Sequence, residues 1–385
     1  MANSESPAPG FWLGKRVLVT GHTGFKGSWL CYWLHLLGAR VTGYALAPAT
    51  SPHLFGLLAL SELVDSRYGE IGDTNTLQQL TTDVRPDVVF HLAAQAQVVP
   101  SYAQPEATFT TNLMGTVAVL DAVRRCASVR VCQVVTSDKC YAQPGPGRPF
   151  VEGDALGGSD PYSASKAAAE IAVAAYRQSF FSDTGACSVA TVRAGNALGG
   201  GDWSGQRLLP NSVRALFAGR PIRLTQPEAV RPWQYVLEPL SGYLSLAQYQ
   251  YGNPQAYAEA WNFGPNSESA VSVRALAQRT IREWGSGELE MAIPDVQHRE
   301  EPELRISIDK ARQRLEWRPA FDLTRTVQAT VRSYRALYAA MEQPDPRRQV
   351  RALCADDIAT YTQTARERGI SWACGNTPKV IGAAG

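Results

Sequence analysis

Apolar residues follow two rhythms along this chain. Short unbroken runs alternate through the first half with longer segments in which apolar positions recur every three or four residues. The first rhythm predicts buried parallel strands and the second predicts the helices that cover them. Strands are expected at Lys15–Val19, Arg40–Leu46, just before Glu70, from Pro86 to Leu92, at Arg130–Val135 and at Ser188–Arg193. Helices are expected over Trp29–Leu37, from Asn112 to Cys126, and from Asp160-Pro161 onward. Strands and helices in this alternation make an α/β fold built on a doubly wound parallel sheet.

The alternation stops near the glycine cluster Gly199-Gly200-Gly201-Asp202, which marks a change of region. Shorter pieces follow: a helix at Leu208–Ala218, a strand at Ile222–Leu224, a helix at Glu238–Tyr249 and a strand at Trp261–Phe263. Residues 12–198 are expected to form the sheet domain, with 236–263 returning to it, while 199–235 and 264–341 form a smaller α/β substrate domain over its mouth. Val273–Trp284 and Leu323–Met341 read as amphipathic helices, and the charges from His298 to Arg305 read as solvated. Pro344-Asp345-Pro346 breaks the last of these helices, Arg347–Arg368 supplies one more, and Thr377–Gly385 reads as a mobile tail, so that 342–385 is a C-terminal helix and mobile tail.

Composition narrows the function classes. With 37 basic and 35 acidic residues the net charge is +2, and no basic arm interleaved with aromatics appears, so nucleic acid is not the expected partner. Met1 to Trp12 lacks a basic segment followed by an apolar core, and no run reaches the length of a membrane span, so a cytoplasmic protein with no membrane partner is expected. The seven cysteines are scattered without a CxxC pair, and the five histidines show no ligand spacing, so no metal site is expected.

Two stretches carry candidate chemistry. In the first, Gly21, Gly24 and Gly27 follow an apolar strand and open a helix. Glycines there allow the tight turn, the approach of the backbone to a pyrophosphate and close helix packing, so a dinucleotide is expected against this loop. The second strand, however, ends Gly43-Tyr44-Ala45-Leu46-Ala47 without the acid that would hold an adenosine ribose, and the usual choice between NAD and NADP cannot be read there. Glu70 after the third strand is placed to reach the adenine, and Leu92, Ala93, Ala94 and Gln95 are small enough in the main to let a cofactor lie against the sheet.

The second stretch runs from Thr136 to Lys166. Ser137, Asp138 and Lys139 leave the carboxyl end of a strand, where doubly wound sheets bind ligands. Tyr162 and Lys166 share one helix face four residues apart. A nearby ammonium and a donated hydroxyl both favour phenolate, so Ser137, Tyr162 and Lys166 suffice to take a proton from an alcohol as hydride leaves for a nicotinamide. Asp138 and Lys139 exceed that need and point to a second pair of proton transfers, such as loss of water. Further on, Arg231 is a candidate for a substrate diphosphate, since guanidinium pairs with phosphate oxygens in a bidentate way.

Gly21-xx-Gly24-xx-Gly27, Ser137 and Tyr162-xxx-Lys166 together resemble the extended short-chain dehydrogenase/reductase family. Thr136-Ser137-Asp138-Lys139-Cys140-Tyr141, Gly199-Gly200-Gly201-Asp202-Trp203 and Arg231-Pro232-Trp233-Gln234 resemble the nucleotide-sugar 4,6-dehydratases within it, most closely those acting on CDP-glucose. The resemblance implies a Rossmann domain holding NAD, a homodimer, and dehydration of CDP-glucose to CDP-4-dehydro-6-deoxyglucose. It implies Tyr162 as base at the sugar 4-hydroxyl, Lys166 on the nicotinamide ribose, Ser137 on the 4-oxygen, Asp138 as acid for the 6-hydroxyl and Lys139 as base at C5. It further implies cofactor contacts from Gly21, Thr23, Gly24, Phe25, Lys26, Gly27, Glu70, Ile71, Leu92, Ala93, Ala94, Gln95 and Asn112, and substrate contacts from Asn196, Arg207, Leu208, Arg231 and Trp233. A nucleotide-sugar 4-epimerase or reductase, or a 4,6-dehydratase for another nucleotide sugar, is the alternative; epimerases and reductases have no use for Asp138 and Lys139.

Overall fold

The computed structural model describes residues 10–143, 147–183, 187–205, 207–292 and 303–374. Six strands come from the first half: β1 (Arg16–Thr20), β2 (Arg40–Ala45), β3 (Asp65–Tyr68), β4 (Val88–His91), β5 (Val131–Val135) and β6 (Ser188–Ala194). Shorter ones follow: β7 (Ala197–Leu198), β8 (Ile222–Leu224), β9 (Val230–Pro232), β10 (Gln234–Tyr235), β11 (Ala260–Phe263), β12 (Ala270–Ser272) and β13 (Leu289–Met291). The longer helices are α1 (Phe25–Leu36), α2 (Thr74–Val84), α3 (Gly115–Arg124), α4 (Pro161–Phe180), α5 (Leu208–Phe217), α6 (Leu237–Gly252), α7 (Val273–Trp284), α8 (Leu323–Met341) and α9 (Arg347–Glu367).

Seven strands form one sheet in the order β11-β6-β5-β4-β1-β2-β3. Every pairing in it is parallel. Parallel strands are covered on both faces, and successive residues of β1 divide accordingly: Val17 and Val19 enter one core with Trp29, Trp33 and Tyr243, while Leu18 enters the other with Leu80, Leu120 and Val173. Strand order reverses between β1 and β4, and the carboxyl ends of that pair open a crevice, the place where such sheets take ligands.

α1 is apolar nearly all round because it is covered twice. Its Trp29, Leu30, Trp33 and Leu34 are buried, and α9 lies over it: the Trp33 ring stands edge-on to Tyr361 with centroids 6.0 Å apart, and the Tyr32 hydroxyl donates to the Arg351 carbonyl at 2.8 Å. Val350, Cys354, Ile358, Tyr361 and Ala365 of α9 belong to the same core as the sheet. The C-terminal helix thus closes the core over α1.

One expectation is corrected. The helix expected to open at Asn112 is already helical from Pro105, and Asn112 sits inside a wide turn, Thr110–Met114, before α3. In the charged stretch ending at Arg305, the side chains of Glu303 and Arg305 are exposed as expected, while Leu304 between them is buried and the Arg305 carbonyl accepts from the Phe150 N–H at 2.9 Å. His298 and the tail Thr377–Gly385 lie outside the described residues. Among the described residues no helix is long and apolar enough to cross a membrane.

Candidate active site

A cleft of about 2140 Å³ runs along the carboxyl ends of the sheet and under the pieces that follow β6. Drug-sized pockets hold about 300–1,000 Å³, so this one has room for two sizeable ligands together. Its floor begins at the glycine loop. Gly21 has φ +75°, and a Cβ there would lie 2.7 Å from the Ala93 nitrogen; one on Gly27 would lie 2.1 Å from the Gly21 carbonyl oxygen. The loop is therefore tied to β4 and to its own helix at contacts that only hydrogen at Cα allows. Behind it the Thr20 hydroxyl accepts from the Ala93 N–H at 3.2 Å and meets His91 Nδ1 at 2.7 Å. His91 Nε2 lies 3.1 Å from Thr116 Oγ1, and burial, then Lys166, pushes the imidazole down to about 3, so it is neutral.

The strand without an acid carries a close packing contact inside it. A Cβ on Gly43 would lie 2.3 Å from the His22 ring, whose Nε2 sits 2.6 Å from the Ser66 hydroxyl and which burial pushes down to about 4. A neutral imidazole thus packs against the middle of β2, and beyond its end the Thr23 hydroxyl donates to the Leu46 carbonyl at 2.9 Å. Glu70 and Ile71, from the loop after β3, line the cleft there.

At the centre, β5 delivers Ser137 and Asp138 into a short turn. The Ser137 hydroxyl donates to Asp138 Oδ1 at 3.0 Å, accepts from the Lys139 N–H at 3.1 Å and is hydrogen-bonded with the Tyr162 phenol. Asp138 is 4% exposed, and its Oδ2 is buried with no hydrogen-bond partner among the described residues. Burial raises its pKa against the opposing pull of Lys139, Ser137, Lys26 and Arg231. Desolvation thus favours the protonated form of this carboxyl more than in water.

α4 begins with Pro161 after Asp160, whose side chain accepts from the Ser163 N–H at 2.9 Å and so caps the first turn. That cap aims Tyr162 and Lys166 at the cleft. The Lys166 ammonium donates to the Val135 carbonyl at 3.1 Å; burial first, then Lys26, pushes it down to about 8 while Glu170 opposes them. Burial also pushes the Tyr162 phenol up to about 12, with the Ser137 hydrogen bond pulling the other way. Desolvation is the largest influence on the Tyr162 phenol and outweighs the Ser137 hydrogen bond.

Beyond the centre, Asn196, Leu208, Arg231 and Trp233 line the cleft with Arg207. Arg207 Nη1 lies 2.8 Å from Asp202 Oδ2; burial opposes its charge, but Asp202 outweighs it and raises the pKa. Arg231 is 4% exposed and donates to the Val230 carbonyl at 2.9 Å. The Trp233 indole donates to the Val271 carbonyl at 2.9 Å, tying β9–β10 to β12.

The cleft brings together Gly21, Thr23, Gly24, Phe25, Lys26, Gly27, Glu70, Ile71, Leu92, Ala93, Ala94, Ser137, Asp138, Lys139, Tyr162, Lys166 and the five residues just named. Gln95 and Asn112 are not on its wall. Asn112 instead accepts from the Gln95 N–H at 2.9 Å and donates to Ser165 Oγ at 2.8 Å, joining the loop after β4 to α4. Sequence reasoning missed Tyr44, Leu46 and Tyr334, and a set at the far end: Arg220, Arg223, Thr225, Gln226 and Glu290. The signal for the last set was charge inside a short strand, with Arg223 between the buried Ile222 and Leu224.

Residues 18–330 match the family model described as GDP-mannose 4,6 dehydratase. The chain is 41% identical to the CDP-glucose 4,6-dehydratase of Salmonella typhimurium strain LT2 over 85% of its own length and 92% of that protein's. It is 30% identical to a dTDP-glucose 4,6-dehydratase of Xanthomonas campestris over 82% of this chain and 92% of that one. Among solved structures, a UDP-glucose 4-epimerase of Thermotoga maritima solved with UDP-glucose is similar in fold, with a TM-score of 0.73 at 21% identity over 83% of this chain and 98% of that chain. A dTDP-glucose 4,6-dehydratase of Bacillus anthracis solved with NAD gives 0.70 at 22% identity, over 83% of this chain and 96% of that chain.

Proposed function

As the chain belongs to the GDP-mannose 4,6 dehydratase family, we propose that it is a lyase that uses NAD catalytically to dehydrate CDP-D-glucose to CDP-4-dehydro-6-deoxy-D-glucose. The observation that carries the reaction type is the pair Asp138 and Lys139, set beside Ser137 on a cleft that also receives Tyr162 and Lys166. The cytidine nucleotide rests on the likeness to the Salmonella enzyme.

The residues present fit the cofactor. Glycines tied down at their Cα atoms leave the loop backbone and the first N–H groups of α1 open to a pyrophosphate. Lys166 makes one hydrogen bond among the described residues, to a carbonyl, and keeps donors for the nicotinamide ribose. Held by the glycine loop and Lys166, NAD would supply the redox chemistry, accepting hydride from the sugar C4 and returning it at C6, so that the net reaction is redox-neutral.

The chain's own groups move the protons. Tyr162 takes the proton of the 4-hydroxyl while Ser137 holds the 4-oxygen. Lys139 removes the C5 proton, made acidic by the ketone at C4. Asp138, whose pKa burial raises, gives a proton to the departing 6-hydroxyl, which leaves as water. Arg207 and Arg231 hold the diphosphate, with Asn196, Leu208 and Trp233 around the sugar and ribose. Gln95 and Asn112 act on the cofactor loop from behind it, as positioning residues. A cytoplasmic homodimer completes the reading; exposed Met114 and Ile171, on elements that pack side by side, offer apolar surface to a second copy.

The test is to incubate the purified protein with CDP-, dTDP-, UDP- and GDP-glucose without added reductant and follow mass. Loss of one water from CDP-glucose alone is expected. Dehydration of another nucleotide sugar keeps the chemistry and moves the substrate, and epimerisation at constant mass overturns the roles of Asp138 and Lys139.

A further inference from the structure

The cleft extends past the diphosphate arginines to a two-stranded parallel ladder in which Glu290 of β13 stands opposite Arg223 of β8. Ile222 and Leu224 turn into a small apolar cluster with Leu216 and Ala277, so strand alternation sends Arg223 outward to the cleft. Arg223 Nε lies 3.4 Å from Glu290 Oε1, with side chains 68% and 47% exposed. An exposed pair of this length adds little to stability. It also engages only one edge of the guanidinium and one carboxylate oxygen.

Charge makes Glu290 conspicuous. On the cleft wall after β6, arginines 207, 214, 220, 223 and 231 suit an anionic ligand, and the carboxylates among the described lining residues are Asp202, committed to Arg207, and Glu290. A carboxylate repels a diphosphate, so one retained at the ligand's outer end is suited to a part of the ligand that donates hydrogen bonds. If the sugar reacts at Tyr162 and the diphosphate meets Arg207 and Arg231, the base is the part that arrives at β8 and β13.

We propose that Arg223 and Glu290 select cytosine over uracil and thymine, a specificity role that rests on the nucleotide-sugar reading above. Cytosine presents two adjacent acceptors, O2 and N3, and then the N4 amine donor. The guanidinium supplies parallel N–H donors to the first two, and the carboxylate accepts from N4, as acidic side chains do when they read cytosine in nucleic acids. Uracil and thymine carry a donor at N3 and an acceptor at O4. They therefore set N–H against N–H and oxygen against carboxylate, and the pair rejects them electrostatically.

The experiment compares kcat/KM for CDP-glucose, UDP-glucose and dTDP-glucose in the wild type, Glu290→Gln and Arg223→Leu, with calorimetric binding of CDP and UDP to each. Glu290→Gln exchanges an acceptor for an amide that can donate to O4. The preference for CDP-glucose over UDP-glucose is expected to fall about ten- to a hundredfold, carried by KM and matched by the CDP and UDP affinities. Arg223→Leu is expected to weaken CDP binding and narrow the same preference. A wild-type preference for cytidine that persists in both variants overturns the selector while leaving the dehydratase reading intact. A wild type that dehydrates none of the three, or prefers another base, fails the substrate reading first, and the selector with it.

Discussion

Arg193 of β6 and Glu170 of α4 form a buried two-pronged ion pair, Nε to Oε1 and Nη2 to Oε2, both 2.8 Å, with each side chain 3% exposed. The hydroxyls of Thr136 and Thr191 donate to the same carboxylate, and Arg193 Nη1 donates to the Tyr141 hydroxyl at 2.9 Å. The network grips both ends of the turn that presents Ser137, Asp138 and Lys139, and it lies one helical turn below Lys166. Burial acts to raise the Glu170 pKa, but Arg193 and then the threonines lower it overall.

Arg193→Met should leave Glu170 buried without its counter-ion and cost about 3–5 kcal/mol of stability. Urea denaturation measures it. Because the folded pKa of Glu170 is depressed, the wild-type contribution is present above the unfolded carboxylate value and is lost as pH falls through the folded one. The gap between variant and wild type should accordingly shrink in acid. A gap that stays constant from neutral pH into acid would mean that the pair contributes by packing alone.

The two chemical pairs should separate in partial reactions. Tyr162→Phe removes the first proton transfer, so both cofactor reduction and water loss should fall about 10²–10⁴-fold. Lys139→Met should stop water loss while some reduction of bound cofactor by CDP-glucose remains visible in its absorbance. Equal loss of both signals in Lys139→Met, or unchanged dehydration, would remove Lys139 from the elimination step.

Glu238 at the start of α6 is buried, and its carboxylate accepts from the N–H groups of Ala320 and Phe321 and from the Tyr361 hydroxyl of α9. Burial, outweighing those bonds, pushes it up to about 7. The folded chain then holds a proton between the unfolded value and 7 that the unfolded chain releases, so this group costs stability as pH rises through that window. Glu238→Gln removes the dependence. Relative to wild type it should gain about 3 kcal/mol between pH about 4.5 and 7, read from chemical denaturation at each pH. A pH-independent difference would show that the carboxyl is already ionised when folded.

Much was legible in the chain, because it depended on neighbours in sequence. The period-two and period-3.6 patterns located the strands of the sheet and most helices, since a residue's face is set by its spacing. The loop Gly21-xx-Gly24-xx-Gly27 announced its turn because only glycine tolerates contacts of 2.1 to 2.7 Å at Cβ. Tyr162 and Lys166 declared a shared helix face, and Ser137, Asp138 and Lys139 followed a strand end. Other features depended on partners far along the chain. Nothing near Asn112 reveals that it holds Gln95 and Ser165 behind the cleft. Nothing near α9 reveals that α1 needs it as a second cover.

The amino-acid sequence by itself determined the α/β alternation, the glycine turn and the identity of the reacting side chains, all properties of local spacing and residue chemistry. Only the tertiary structure decided how burial shifts those groups and which far segments meet. Desolvation raises Asp138 and Tyr162 and lowers Lys166 only once the cleft has closed around them. Arg223 and Glu290 stand opposite each other only because two short strands, distant in sequence, pair in one register.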